Sequence, residues 1–343
     1  MNVQSIAVFG GSGFIGSHLA EHVLRNGLAE KIYLVDRVPQ KGFPYTPLLN
    51  QGLQSGQARY IPWDVRQPIS RTIFPEPVEI IFNFAAVHRE PGHRPEEYFE
   101  TNLLGAENVC AFAAVIGCSK IVFTSSISPY GPSEAMKNEL SIPTPDTAYG
   151  SSKLAAEKIH LAWQAGGSLR RKLLILRPGV VFGPGEGGNV TRLIRSLVKG
   201  YFVYMGNRET RKAAGYVKEL CQVMQFGLDT LEEQDLPSLL LNFSLDPAPT
   251  MEEFVSTIQA TAGIHRPVLS LPRRLLVGAS YPISALSELF GIKQPINPVR
   301  VRKLFRSTNI EPLKLRELSY QYRYTLDTAL SDWKLEVPED FEK

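Results

Sequence analysis

Cysteine is scarce, with three in 343 residues, and Cys110, Cys118 and Cys221 show neither paired nor metal-ligand spacing. Cys110 and Cys118 fall in an apolar stretch of helical pattern, where a thiol acts as a small hydrophobe. An odd count without a framework favours a reducing compartment. The opening residues Met1 to Ser5 lack the basic flank and apolar core of a secretory leader. No run approaches the roughly 18 apolar residues that a membrane span needs. Charge of one sign is also lacking: the net formal charge is +3, which leaves a nucleic-acid partner without compositional support. These absences describe a cytoplasmic chain with no membrane span, no internal repeat and no low-complexity tract.

What is present is a strand–helix rhythm. Short apolar runs at Ser5–Phe9, Lys31–Val35, Ala58–Pro62, Glu79–Phe84, Lys120–Thr124 and Lys172–Leu176 read as buried parallel strands. Helical patterns follow the first run through Arg25, then span Pro95–Ile116 and Tyr149–Ala165. The alternation predicts an α/β fold, a Rossmann-type doubly wound parallel sheet, with a smaller and mainly helical C-terminal substrate domain. We expect a nucleotide-binding part over 1–177, with 214–245 returning to it through a strand–helix unit at Ala214–Leu228. A substrate-binding lid is expected over 178–213 and 246–315, followed by a C-terminal segment, 316–343. Pro and Gly crowd the stretch from Pro178 to Gly188, which suggests loops over the sheet edge.

Gly10, Gly13 and Gly16 sit between the first strand and its helix, the context in which a glycine pattern signals dinucleotide binding. Glycine at the turn permits positive φ, and missing Cβ atoms let the backbone approach a pyrophosphate. The helix start at Phe14 and Ile15 adds free N–H groups and a positive dipole end. Asp36 ends the second strand about 20 residues later, where a carboxylate accepts hydrogen bonds from the adenosine ribose. It would repel a 2′-phosphate, favouring NAD over NADP, although the guanidinium of Arg37 beside it could tolerate that phosphate. Asp64, after the third strand, could face the adenine or simply cap its own loop.

Tyr149 and Lys153 stand at i and i+4, on one face of a helix. A free tyrosine, with a pKa near ~10, is a poor base at neutral pH. A neighbouring ammonium and a positive nicotinamide ring lower that value. The phenolate can then take a hydroxyl proton while hydride leaves the same carbon.

With these residues, the chain resembles an extended short-chain dehydrogenase/reductase of the NAD-dependent epimerase/dehydratase group. The likeness runs over Gly10–Gly16, Asp36, Asp64, Asn83 to Ala86, Thr101 to Gly105, Ser125-Ser126 with Tyr130-Gly131, Tyr149 with Lys153, and Arg177-Pro178 with Phe182 to Pro184. It implies that Ser126 hydrogen-bonds the reacting hydroxyl, and that Asp64 with Val65 lies at the adenine. Ala85 and Ala86 would line the diphosphate and ribose, and Asn102 would be a buried structural amide. On the substrate side it points to His88, Ser128 and Asn189. A basic contact to the substrate phosphates falls on Lys212 by spacing or Arg211 by residue type, with Arg302 or Arg306 as further candidates. Relatives pair the helices over Pro95–Ile116 and Tyr149–Ala165 into a four-helix bundle, so a homodimer is expected.

The departures narrow the chemistry. Family dehydratases carry Asp-Glu after the catalytic Thr; Ile127 and Ser128 stand there instead, removing the acid and base of dehydration. Hexose epimerases commonly carry Asn where this chain has Val180. The leading expectation is an NAD-dependent nucleotide-sugar 4-epimerase working through a 4-keto sugar. The alternative is a hydroxyl dehydrogenase akin to 3β-hydroxysteroid or sterol enzymes, suggested by the apolar stripe Leu271–Phe290, which equally suits an amphipathic lid helix. A non-catalytic NAD-binding protein is the third reading, and it would have no use for Ser126, Tyr149 and Lys153 together.

Overall fold

The computed structural model describes residues 3–39, 42–90, 92–167, 170–205, 207–271 and 307–342. The stripe from Pro272 to Phe290, and Arg302 and Arg306, lie outside the described residues. The first half of the chain comprises β1 (Val3–Phe9), α1 (Phe14–Arg25), β2 (Ala29–Asp36), α2 (Pro47–Ser55), β3 (Ala58–Pro62), β4 (Ile80–Asn83), α3 (Pro95–Ile116), β5 (Lys120–Thr124), β6 (Ser133–Lys137) and α4 (Ala148–Gly166). The second half comprises β7 (Lys172–Pro178), β8 (Val180–Phe182), α5 (Asn189–Lys199), β9 (Tyr204–Met205), β10 (Ala214–Tyr216), α6 (Val217–Glu233), β11 (Ser238–Phe243), α7 (Met251–Ala262), β12 (Ser270–Leu271), β13 (Thr308–Ile310), α8 (Leu313–Glu317) and α9 (Leu326–Glu336).

Seven strands form one parallel sheet in the order β11-β7-β5-β4-β1-β2-β3. Its strands read as unbroken apolar runs because both faces are covered. Pleating sends Ile6 and Val8 of β1 to the layer shared with Leu19 and Val23 of α1 and Val223 of α6. Ala7 and Phe9 point the other way, against Val109 and Phe112 of α3 and Trp163 of α4. The strand order reverses between β1 and β4, and ligands of such sheets bind in the crevice that opens there, at the carboxyl ends.

Beyond this sheet, Phe182, Ile194, Tyr216, Phe254 and Trp333 close a separate apolar core. The segment after Pro178 is more regular than its Pro and Gly content suggests, because β8 pairs in parallel with β10. Thus β10 lies outside the seven-stranded sheet, whereas β11 extends that sheet beside β7. Helix α2 has no clear apolar period: only Leu49 and Gly52 are buried, and Gly56 ends it at φ +79°. Among the described residues, no helix is long and apolar enough to cross a membrane.

Candidate active site

The glycine turn carries the chain from β1 into α1. Gly10 has φ +79°, and a Cβ there would lie 2.8 Å from the Ala85 nitrogen, so both its conformation and its packing exclude a side chain. Gly16 is constrained by packing alone, since a Cβ would meet the Gly10 carbonyl at 2.6 Å. Gly11, outside the three-glycine spacing, is equally tight: a Cβ would lie 2.7 Å from the Val8 carbonyl. Gly13 caps α1, whose first intrahelical bond runs from Ser17 N–H to the Gly13 carbonyl. The amides of Phe14, Ile15 and Gly16 precede that bond, so none has a carbonyl four residues back inside the helix. In the same turn the Ser12 hydroxyl oxygen is buried with no hydrogen-bond partner.

Asp36 is oriented by backbone. Ser12 N–H donates to one carboxylate oxygen at 3.2 Å and Arg37 N–H to the other at 2.7 Å, which ties the ribose-side acid to the glycine turn. Asp64 is gripped by Arg66, with bonds of 3.0 and 2.6 Å from Nε and Nη2. Those bonds, opposed in part by desolvation, hold its carboxyl below the ordinary range. Arg37 extends towards the same acid at 3.9 Å. Val65 is buried beneath this loop, and its carbonyl accepts from Asn108.

Ala85 and Ala86 follow β4, and Asn102 holds their loop. Val87 N–H donates to Asn102 Oδ1 at 2.9 Å, and Asn102 Nδ2 donates to the Val87 carbonyl and to Ser152 Oγ. One buried amide thus joins the cofactor-side loop to α4, through the turn that bears Tyr149. His88, just beyond, is exposed.

The spacing of Tyr149 and Lys153 places both where β5 ends. The Ser126 hydroxyl is hydrogen-bonded to the Tyr149 phenol, and it also contacts Ser128 Oγ at 3.1 Å. Lys153 is buried; its Nζ donates to the Thr124 carbonyl at 2.6 Å and lies 4.3 Å from the centre of the Phe123 ring. Desolvation pulls the Lys153 ammonium down to about 7, against the pull of Glu157.

The protein's own groups do not lower the Tyr149 pKa, contrary to the expectation from sequence. Burial pushes the phenol up to about 12; the Ser126 bond opposes this, and Glu90 adds to it. The physical reason is that Lys153 turns its ammonium to the Thr124 carbonyl and the Phe123 face, while the charge that acts on the phenol is Glu90, which raises it. Any further lowering must come from a cation outside the chain.

Several supporting residues escape sequence reasoning. Glu157, one turn beyond Lys153, accepts two bonds from Arg177 at 2.8 and 2.6 Å and a third from Ser125, all buried. This ion pair pins α4 to the end of β7. His160 donates from Nδ1 to the Ala156 carbonyl, so its Nε2 accepts from Asn83. Its ring stacks on Phe123 at 4.0 Å, and burial lowers its pKa to about 4. Glu157 and His160 follow Lys153 at helical spacing, which is the only sequence signal that marks them.

The substrate-side residues are more dispersed. Asn189 opens α5 and is exposed, with its Oδ1 accepting from Arg192. Arg211 donates to the Ala248 carbonyl at 2.5 Å. Lys212 bridges to Thr308, and desolvation lowers its pKa against the pull of Glu134.

Comparison with known proteins adds the lineage. A profile of the NAD dependent epimerase/dehydratase family matches residues 6–239. The N-acetyl-alpha-D-glucosaminyl-diphospho-ditrans,octacis-undecaprenol 4-epimerase of Escherichia coli O157:H7 is 25% identical, the match covering 95% of this chain and 93% of that protein. The decarboxylating sterol-4-alpha-carboxylate 3-dehydrogenase of Candida albicans is 24% identical, covering 97% and 98%. Among solved structures, UDP-glucuronic acid 4-epimerase from Bacillus cereus in complex with NAD superposes with a TM-score of 0.74 at 18% identity, covering 99% of this chain and 100% of that one. With its glycine turn, its Ser126, Tyr149 and Lys153, and its parallel sheet, the chain belongs to the NAD dependent epimerase/dehydratase family and has the extended short-chain dehydrogenase/reductase fold.

Proposed function

We propose that this chain is an NAD-dependent 4-epimerase of diphosphate-activated sugars, the nucleotide sugars being the class that most of its relatives use. One observation carries the reading. Ser126, Tyr149 and Lys153 gather at the end of β5, on the same carboxyl edge of the parallel sheet as the tightly packed glycine turn that leads into α1.

The residues fit a dinucleotide. The side-chain-free cradle of Gly10, Gly11 and Gly16, the orphaned Ser12 hydroxyl and the α1 amides suit a diphosphate, and Asp36 suits a ribose. Phe14, Ile15, Val65, Ala85 and Ala86 complete that side. NAD, when bound, supplies a reversible hydride acceptor and a positive ring. The remaining chemistry belongs to the chain. Ser126 holds the C4 hydroxyl oxygen, and Tyr149 removes its proton and later returns it. Lys153, held by Thr124 and Phe123, stands one helical turn from Tyr149, and the positive ring of a bound dinucleotide would be the charge that favours the phenolate. Ile127 and Ser128 supply no acid–base pair, so the sugar keeps its hydroxyl groups. Turning the 4-keto sugar over lets hydride return to its other face. His88, Ser128, Asn189, Arg211 and Lys212 are the proposed substrate contacts, drawn from 178–213 and the neighbouring loops. We take the molecule to be a homodimer through α3 and α4.

The test is incubation of purified protein with a nucleotide-sugar panel and no added cofactor. The reading expects interconversion of C4 configuration with no build-up of reduced nicotinamide absorbance. Cofactor-dependent NADH release, on sugars or on steroid alcohols, would establish a dehydrogenase instead, the activity named for the sterol relative. Tyr149→Phe is expected to abolish turnover and spare NAD affinity.

A further inference from the structure

We propose that His160 is a positioning residue for Lys153, held as a neutral ring behind Phe123 so that the ammonium keeps one place beneath the candidate site. The consequence for turnover rests on the 4-epimerase reading; the effect on Lys153 itself does not.

The buried face of α4 runs through Ser152, Lys153, Ala156, Glu157, His160 and Trp163. Among these, His160 is fully buried against β5, yet nothing in the proposed proton transfer uses it. A leucine or phenylalanine would fill the space without stripping two ring nitrogens of water. The chain satisfies both nitrogens instead. Nδ1 donates to the Ala156 carbonyl at 2.7 Å, which leaves Nε2 as the acceptor for Asn83 Nδ2 at 3.2 Å. These two bonds suit only the neutral ring, because a second ring proton would point at the hydrogens of the Asn83 amide. Asn83 keeps this orientation although its Oδ1 is left buried with no partner, an arrangement that is unfavourable on its own.

The locked imidazole lies flat on Phe123, with ring centres 4.0 Å apart and planes 17° apart. A stacked imidazole covers one face of the phenyl ring. Lys153 Nζ, 4.3 Å from the same centre, therefore sits over the other face. Residues 153 and 160 are separated by about 10.5 Å along a helix axis, which leaves room for a phenyl ring between them. Register completes the set. Asn83 of β4 pairs with Phe123 of β5, and the next residue, Thr124, offers the carbonyl that accepts from Lys153 at 2.6 Å. The ammonium is thus held by a carbonyl that the strand fixes and by an aromatic face that His160 fixes. Cations are drawn to such a face, more strongly where water is excluded. A cationic ring at position 160 would set a like charge behind that face, so its neutrality is part of the role. The titratable groups around Lys153 are Tyr149 one turn before, Glu157 on the same helix and gripped by Arg177 of β7, and His88 in the loop after β4. Among the described residues, the charge that acts on His160 is Lys153.

The experiment follows Lys153 directly, by NMR of the full chain enriched with lysine carrying carbon-13 at Cε, whose shift reports protonation of Nζ. The Lys153 resonance is the one missing from Lys153→Met. His160→Leu keeps the bulk of the side chain and removes its flat ring. It should lower the midpoint of the Lys153 titration by about one pH unit or more, because the charged form loses its aromatic contact. His160→Phe restores a stacked ring without the Asn83 bond, and should return the midpoint to that of the unaltered chain. Both variants leave Asn83 unpaired, so both should melt at a lower temperature. Phe123→Leu spares the bond between Asn83 and His160. It should lower the midpoint as His160→Leu does, and the two together should lower it no further, since both act through one ring. With a nucleotide sugar as substrate, the pH at which turnover changes should move with the NMR midpoint in direction and size. An unmoved midpoint in His160→Leu overturns the proposal. So does an equal displacement in His160→Phe, which would assign the effect to the Asn83 bond, and so do additive shifts in the double variant. Absence of turnover in the unaltered chain counts against the epimerase reading alone, and the titration still decides the role of His160.

Discussion

Lys153 is where the cost of function is most visible at the scale of a residue. Its ammonium is buried beneath the candidate site with a carbonyl and an aromatic face for company, and desolvation brings its pKa to about 7. An unfolded lysine titrates near ~10.4, so between those values the unfolded chain holds a proton that the folded chain does not. Stability contributed at this position is therefore lowest below pH 7 and recovers as pH rises towards 10. Lys153→Met should cut turnover about 100-fold or more. It should also raise the melting temperature at pH 7 by about 2 °C or more, the gain shrinking towards pH 10. Activity assays with thermal melts across that range check both parts. A melting temperature that falls at pH 7 would mean that the charged lysine is a structural support. The i, i+4 pair itself was legible in the sequence because it is local. The environment that tunes it was not, since Thr124 and Phe123 come from another strand and Glu90 from another loop.

At the scale of elements, the turn between β1 and α1 shows why a short motif can specify a site. Four glycines bring two backbone segments so close that a Cβ at Gly16 would overlap the Gly10 carbonyl. Gly16→Ala must push that carbonyl and the α1 amides apart. Overpacking of this kind costs about 1–3 kcal/mol, enough to weaken NAD binding about tenfold or more. Titration of NAD against the variant, followed by tryptophan fluorescence or calorimetry, checks it; undiminished affinity would remove the dinucleotide from this turn. Elements whose sense comes from their own sequence were read correctly: β3, β5 and α3 fall on the predicted residues. Helix α2 was not read because it buries only Leu49 and Gly52, too narrow a face to show a period, and the β8–β10 pair was not read because its two strands lie far apart in sequence. The Glu157–Arg177 pair is similar. Arg177 stands out as a motif residue, but its partner lies 20 residues earlier on another element.

At the scale of the whole molecule, the parallel sheet puts every strand end discussed above on one edge, and part of the surface of α3 remains exposed. Leu104, Ala111 and Val115 form an exposed stripe along that helix. A two-fold interface would bury this stripe against its own copy, so a single introduced charge appears twice in it. Val115→Arg, at a position 68% exposed, should leave the monomer fold intact and convert dimer to monomer in sedimentation velocity. An unchanged assembly would exclude this face. Subunit pairing and substrate identity are the properties least legible in the sequence, because both depend on surfaces completed by another molecule. The central claim is that Tyr149 and Ser126 manage a proton while hydride leaves and returns to one carbon. Its most direct measurement uses a substrate sugar deuterated at C4, incubated in ordinary water and analysed by mass spectrometry and NMR. The account predicts an inverted C4 centre that keeps its deuterium. Loss of the label to solvent, or its accumulation on free reduced cofactor, would contradict it.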